Sequence, residues 1–439
     1  MKTHHNSETR SAIDVVREVE FPIHTSADLD PLINLIGDSR FVLLGEASHG
    51  THEYYTWRTR ITKRLIAEKN FSFLAVEGDW PDCYSLNRYV KGYPDAGKNA
   101  KEVLKAFNRW PTWMWANWET VALAEWLHAH NQPLPHHRRV GFYGLDVYSL
   151  WESFAFIREY MRQKDPAMFR AVERVAECFE PYHEEGSSYA QAAYTLPVSC
   201  EEEVIQLLAN IRKRLPYYNT DHEAVLSVGQ NAHVAVNAER YYRAMIKAGP
   251  DSWNIRDRHM SETLHRLVDF HGPLSKVIIW EHNTHIGDAR ATQMSRQGMI
   301  NIGQLVKEAY DADGVVRVGF GSYKGSVIAG REWNDTMRRL PLPPAPGYTW
   351  EGLLHEAGAY PKLLLCHDLL RSKLFNHPIG HRAIGVVYNP EIEQWGNYVP
   401  SIIPHRYEAF VYFDETTALH PLHILPDGHQ MPETYPWGD

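Results

Sequence analysis

The chain is poor in the features that mark several large protein classes. Its four cysteines, Cys83, Cys178, Cys200 and Cys366, are far apart and lack C-x-x-C spacing. That argues against a disulfide framework or a zinc knuckle and fits a reducing cytoplasm. No apolar run nears the about 18 residues of a membrane span, and residues 1–10 are polar, without the apolar stretch of a signal peptide. A soluble, unexported protein with no membrane partner is expected. Basic residues are not in excess: the formal charge is -9, with acids and bases mixed along the sequence, so no basic stripe for nucleic acid exists. A small-molecule partner is favoured, while oligomeric state is left open. The signatures G-x-S-x-G, S-x-x-K, H-E-x-x-H and Walker A are all missing. A covalent serine or cysteine intermediate is therefore disfavoured.

What is present begins with Phe41-Val42-Leu43-Leu44-Gly45-Glu46-Ala47-Ser48-His49-Gly50-Thr51-His52-Glu53. Four apolar residues read as a buried strand, Gly45 permits a sharp turn, and two carboxylates and two imidazoles follow. The pattern predicts a helix over 29–36 before this strand, started at Thr25, and another over 53–69 after it. Further apolar strands are predicted at 71–77, ending in Glu77, and at 140–146, ending in Asp146, with two helices between them over 102–131. From 150 to 270 only helical periodicity is found, broken by a polar connection at 183–188. Strands return at 276–282, 315–320, 383–388 and 409–414, and residues 341–346 form a proline-rich surface connection.

Near-continuous apolar strands separated by helices predict an α/β fold: a mostly parallel central sheet flanked by helices, with a large helical insertion or lobe as one wall of a cleft. The organisation expected is an α/β core in two parts, 1–149 and 271–439, with the lobe 150–270 inserted between them. Such sheets bind ligands beyond the carboxyl ends of their strands. Glu46, His49, Glu77, Asp146, His282 and His285 all fall there.

A single histidine is more often a satisfied polar group than a catalyst. Two segments that each place histidines and acids just after a buried strand point to a functional site, without singling out which imidazole acts. Glu46, His49, His52, Glu53, Glu77 and His285 include enough ligands for a metal. Gly319-Phe320-Gly321-Ser322-Tyr323-Lys324-Gly325 lacks the glycine spacing of a dinucleotide loop and reads as a turn after a strand. With no nucleophile motif, the chemistry left is a histidine taking a proton from water, a carboxylate orienting it and a cation stabilising the oxyanion. An ester or lactone would be the substrate. Trp110, Trp113, Trp115 and Trp118 fit either a bulky-ligand pocket, with Trp113 and Trp115 as substrate contacts beside His282 and Asp146, or the core.

Gly45-Glu46-Ala47-Ser48-His49-Gly50, the strand end at Glu77, Trp253-Asn254-Ile255-Arg256-Asp257-Arg258-His259-Met260 and His282-Asn283-Thr284-His285-Ile286 together resemble the erythromycin esterase family. The likeness runs from about residue 21 to 417. It implies metal-independent ester hydrolysis, best known on the macrolactone of macrolide antibiotics and so linked to antibiotic resistance, with no cofactor. His49 then matches the general base and Glu46 its supporting acid. Glu77 and Arg58 match further active-site positions, and His285, or else His282, matches the second catalytic histidine. Glu77 has a second reading, as the buried partner of Arg58, and Arg58 one as a surface cation. Glu281 departs from the small residue expected before His282 in resistance members, so the substrate can differ. His52 and Glu53 are reduced to helix-start residues or to supports behind the site. Two other readings remain: a metal-dependent hydrolase on the same cluster, and a small-molecule binding protein without activity.

Overall fold

The computed structural model describes residues 2–182, 186–195, 199–218, 221–247 and 249–423; half of the predicted connection at 183–188 lies outside them. The strands, in chain order, are β1 (Glu20–Pro22), β2 (Phe41–Leu44), β3 (Phe73–Asp79), β4 (Gly141–Asp146), β5 (Val277–Trp280), β6 (Val315–Ala329), β7 (Arg338–Leu342), β8 (Lys362–Leu365), β9 (Ile379–Arg382), β10 (Tyr398–Ser401) and β11 (Ala409–Thr416). Nine form one sheet in the order β1-β8-β11-β6-β2-β5-β3-β4, with β7 paired to β6; β9 and β10 make a separate ladder. From β11 to β4 every neighbour is parallel, and β1, β8 and β7 add antiparallel pairs.

The parallel strands are buried on both faces, which is why they read as unbroken apolar runs. One face packs Leu44, Val42 and Ile278 against helices His52–Lys69 and Trp118–Asn131, and the other packs Phe41, Leu43 and Ile279 against helix Asp251–His271. Between β4 and β5 the described residues are helical, from Leu150–Lys164 to Asp251–His271, and they enclose their own apolar cluster around Leu150, Ile157, Val172 and Leu207. Thr25 starts the early helical turn through a capping box with Asp28, as the sequence predicts. Among the described residues no helix is long and apolar enough to cross a membrane.

Several expectations are corrected. Residues 383–388 are not a strand but a connection with isolated bridges at Ile384 and Val387. Their apolar side chains, Ile384 and Tyr388, fill a small core with Val327, Ala329, Leu340 and Leu342 instead of a ladder. Residues 319–325 are not a turn, because β6 runs straight through them. Their glycines make room for neighbours: a Cβ on Gly319 would lie 2.5 Å from the Tyr407 ring. Pro341 lies within β7 and not in a plain connection. Cys178 and Cys200 form a disulfide across 22 residues, contrary to the expectation of unpaired thiols; helix packing, which residue spacing does not reveal, brings them together.

Candidate active site

Four adjacent strands, β2, β5, β3 and β4, deliver their carboxyl ends to one edge, and each brings an acid or a histidine. At the exit of β2, Asn283 stitches the edge together. Its side chain exchanges hydrogen bonds with the Phe320 backbone, donating at 2.6 Å and accepting at 3.2 Å, and its N–H donates to the Glu46 carbonyl at 2.8 Å. Gly45 is needed here for close approach and not for a special turn: a Cβ would lie 2.1 Å from Asn283 Oδ1. Gly45→Ala is accordingly expected to destabilise the fold by about 1–3 kcal/mol, read as a lower midpoint in urea. An unchanged midpoint would contradict this account of the glycine.

From the β2 exit, His49 turns its Nδ1 to Glu46 Oε1 at 2.9 Å, and Glu46 Oε2 accepts from Arg58 Nη2 at 2.5 Å. Arg58 is fully buried, its guanidinium stacked on Tyr55 and Trp280 at 4.6 and 4.5 Å, so it is no surface cation. Its carboxylate is Glu46 and not Glu77. Glu46 thus fixes the proton of a neutral His49 on Nδ1 and leaves Nε2 free to accept.

Glu77 stands at the centre. The β3 register shifts between Val76 and Asp79, a bulge that re-aims the carboxylate between. Glu77 Oε1 is 3.9 Å from His49 Nε2, 3.6 Å from His285 Nε2 and 2.6 Å from Arg256 Nη2. Its other oxygen accepts from the His282 N–H at 2.8 Å.

A second histidine–carboxylate pair mirrors the first. His285 Nδ1 lies 3.0 Å from both oxygens of Asp257, and Arg256 Nη1 is 2.9 Å from Nε2, so the Nδ1-protonated form is again the one held. The Trp253 indole stacks on His285 at 4.4 Å. Asp146 grips Arg256 with both oxygens, at 2.9 and 2.6 Å. Arg256 and Asp257 sit on helix Asp251–His271, in a stretch that the family resemblance includes but to which sequence reasoning gives no role. A carboxylate three residues from neither histidine leaves no spacing signal.

The remaining predicted residues divide. His282 caps the short helix Asn283–Ile286, its Nδ1 accepting from Thr284 N–H at 3.2 Å, and its ring lies 5.0 Å from that of His49. Trp115 donates from its indole to the Glu77 carbonyl at 2.9 Å and lines a cavity of about 90 Å³ with Glu77, Asp146, Arg109 and Tyr148. Trp113 is in the core and does not line that cavity. Glu281 is wholly buried, and neither oxygen has a hydrogen-bond partner among the described residues.

Charge follows from this arrangement. Burial opposes the His49 imidazolium, but the nearby Glu77 and Glu46 carboxylates outweigh it and raise its pKa above the usual 6.5. For Glu77, burial is outweighed by His285, His49 and Arg256, which hold it well below the ordinary carboxylate range. Burial drives the Glu281 pKa well above the usual carboxylate range, helped by the charges of Glu77 and Asp257, and so favours its neutral form. Burial also drives His282 well below the usual imidazole range. If His49 must be neutral to accept a proton, turnover falls as pH drops through its raised pKa. The acid limb of the rate profile is expected above pH 6.5. In Glu46→Gln it should move to lower pH, because a group that raises the pKa is gone; a limb unmoved in that variant would refute the coupling.

A family model described as erythromycin esterase matches residues 66–416. Erythromycin esterase type II of Escherichia coli is 23% identical over 328 residues, covering 69% of this chain and 73% of its own. Among solved structures, a Bacillus cereus protein superposes with a TM-score of 0.77 at 20% identity, over 95% of this chain and 99% of its own. A mutant erythromycin esterase in an open conformation superposes at 0.65 with 14% identity, over 90% and 95%, a likeness of fold.

Proposed function

This chain belongs to the erythromycin esterase family, and on that premise we propose that it hydrolyses a carboxylic ester or lactone with a water molecule that His49 deprotonates. The observation that carries this reading is the pair of carboxylate-backed histidines whose Nε2 atoms face Glu77 Oε1 from two sides, at 3.9 and 3.6 Å. His49 Nε2 takes the proton as the water oxygen bonds to the acyl carbon. Glu46 and Glu77 stabilise the imidazolium that forms. Arg256 presents its guanidinium to the carbonyl oxygen as it gains charge, and His285, backed by Asp257, accepts from Arg256 Nη1 and holds it in place. When the tetrahedral intermediate collapses, the acyl C–O bond breaks and the leaving alkoxide takes the proton from His49. Arg58 and Asp146 are positioning residues: one fixes Glu46, the other Arg256.

The cavity bounded by Trp115 suggests the substrate's size. About 90 Å³ is small beside the ~300–1,000 Å³ of sites that enclose drug-sized ligands. Small lactones and short acyl esters are the substrates favoured; a 14-membered macrolactone would need the cavity walls, among them Arg109, Trp110 and Trp333, to move apart. A panel running from short esters and small lactones to such macrolactones, assayed with and without chelator, tests the proposal. Acid release from the small substrates, kept in chelator, is expected. No release above the background of His49→Ala from any member would overturn it.

A further inference from the structure

After β11 the chain runs back as a strap over the loop that leaves β2. Backbone hydrogen bonds join His52 N–H to Thr417 O (2.9 Å), Leu419 N–H to Gly50 O (3.0 Å), Trp118 N–H to His420 O (3.0 Å) and Leu422 N–H to Ala116 O (2.8 Å). This crossing brings together three side chains from distant parts of the sequence. His52 opens helix His52–Lys69, Glu119 lies in the first turn of helix Trp118–Asn131, and His420 lies on the strap.

Glu119 Oε1 is 2.6 Å from Nδ1 of His52 and 2.6 Å from Nδ1 of His420. The two rings meet edge to face at 5.3 Å, and one ligand atom from each of the three residues lies within 4.8 Å of the others. The Glu119 side chain is 1% exposed and that of His52 15%, whereas His420 is 42% exposed. The trio is therefore walled on the inside and open to solvent on one side. None of His49, Glu77 or His285 belongs to it.

Two imidazoles and one carboxylate make a ligand set that zinc-class ions accept, with a solvent-facing position left for water. Metal–ligand bonds of about 2.0–2.1 Å place tetrahedral donors ~3.3 Å apart, so the 2.6 Å contacts would open by less than an ångström. The plain alternative is a hydrogen-bonded trio in which Oε1 accepts from both rings. What distinguishes the arrangement is that both imidazoles present the same nitrogen to one buried oxygen, on three segments that already converge through backbone bonds. We propose that His52, Glu119 and His420 bind a divalent transition-metal cation of the zinc class. The cation replaces the protons shared between Oε1 and the two nitrogens. It fastens residues 417–422 to the loop that carries His49.

The test uses the full chain, free of any affinity tag and stripped with chelator, titrated calorimetrically with Zn²⁺ and, separately, with Co²⁺ followed by visible absorption. One equivalent of zinc is expected, with the intense visible band of four-coordinate Co²⁺. His420→Ala and His52→Asn, each checked for native circular dichroism, should each bind one equivalent less, lose that band and lose the zinc-induced rise in melting temperature. Equal uptake by wild type and either variant, or no uptake by wild type, would overturn the proposal. Because the readout is cation uptake, the result is independent of whether esters are hydrolysed.

Discussion

His49→Ala is expected to lower kcat/KM for any ester the protein hydrolyses by ~10²–10⁴-fold or more, the usual worth of a general base. No neighbouring imidazole can stand in. His282 is tied by Nδ1 to the Thr284 N–H, and His285 Nε2 faces Arg256 at 2.9 Å. The variant leaves Glu46 paired to Arg58, so the buried carboxylate keeps its cation and the fold should survive. Native circular dichroism with turnover lost is the expected combination, and added imidazole should restore part of the rate. Residual activity would reflect Arg256, whose guanidinium stays in place through Asp146 and Glu77. Turnover equal to wild type would remove His49 from the mechanism.

Arg256→Met should cost both stability and turnover. Arg256 is bonded to Asp146 through two nitrogens and to Glu77 through one of the same two, and removing it leaves two carboxylates in a buried site without their shared cation. Breaking a buried pair in this way costs about 3–5 kcal/mol, measurable in urea at neutral pH. The sign of the pH effect is fixed by Glu77. Because its folded pKa is held below the unfolded value, it contributes stability in full above the usual carboxylate pKa of ~4.3, and that contribution is lost as pH falls toward the folded value. The deficit of the variant should thus be full from neutrality down to about pH 4 and narrow only below it. Arg256→Lys restores a charge but not the fork that spans Asp146, so it should recover stability more than rate. A variant with the wild-type urea midpoint would contradict the account.

The parallel half of the sheet was legible because burial on both faces writes a continuous apolar run, and the carboxyl ends of β2, β3, β4 and β5 followed from it. The short antiparallel strands were not. β1 and β7 mix proline, charge and exposed positions, and β8 is a four-residue run, Lys362 to Leu365, too short to stand out. Residues 383–388 misled for the converse reason, since apolar side chains serve a small satellite core as well as a ladder. In the site, Glu46 and His49 were readable together because they are three residues apart on one loop. Asp257 reaches His285 across 28 residues, from a helix whose spacing advertises only its buried face. That partnership exists only after the helix docks on the sheet.

The position of β2 has a consequence during synthesis. It lies between β5 and β6, so the strand that leads into the loop carrying Glu46 and His49 is made early and obtains both neighbours late. From Leu44 to Val277 the ribosome must add 233 residues, 277 minus 44. At about 5–20 residues per second that takes ~10–50 s. Throughout it, Phe41, Val42, Leu43 and Leu44 have no partner on either edge, and the nascent chain carries an apolar strand open to wrong pairing. Slower growth at low temperature or a chaperone that holds emerging chains should therefore raise the soluble yield more than any change to the finished surface.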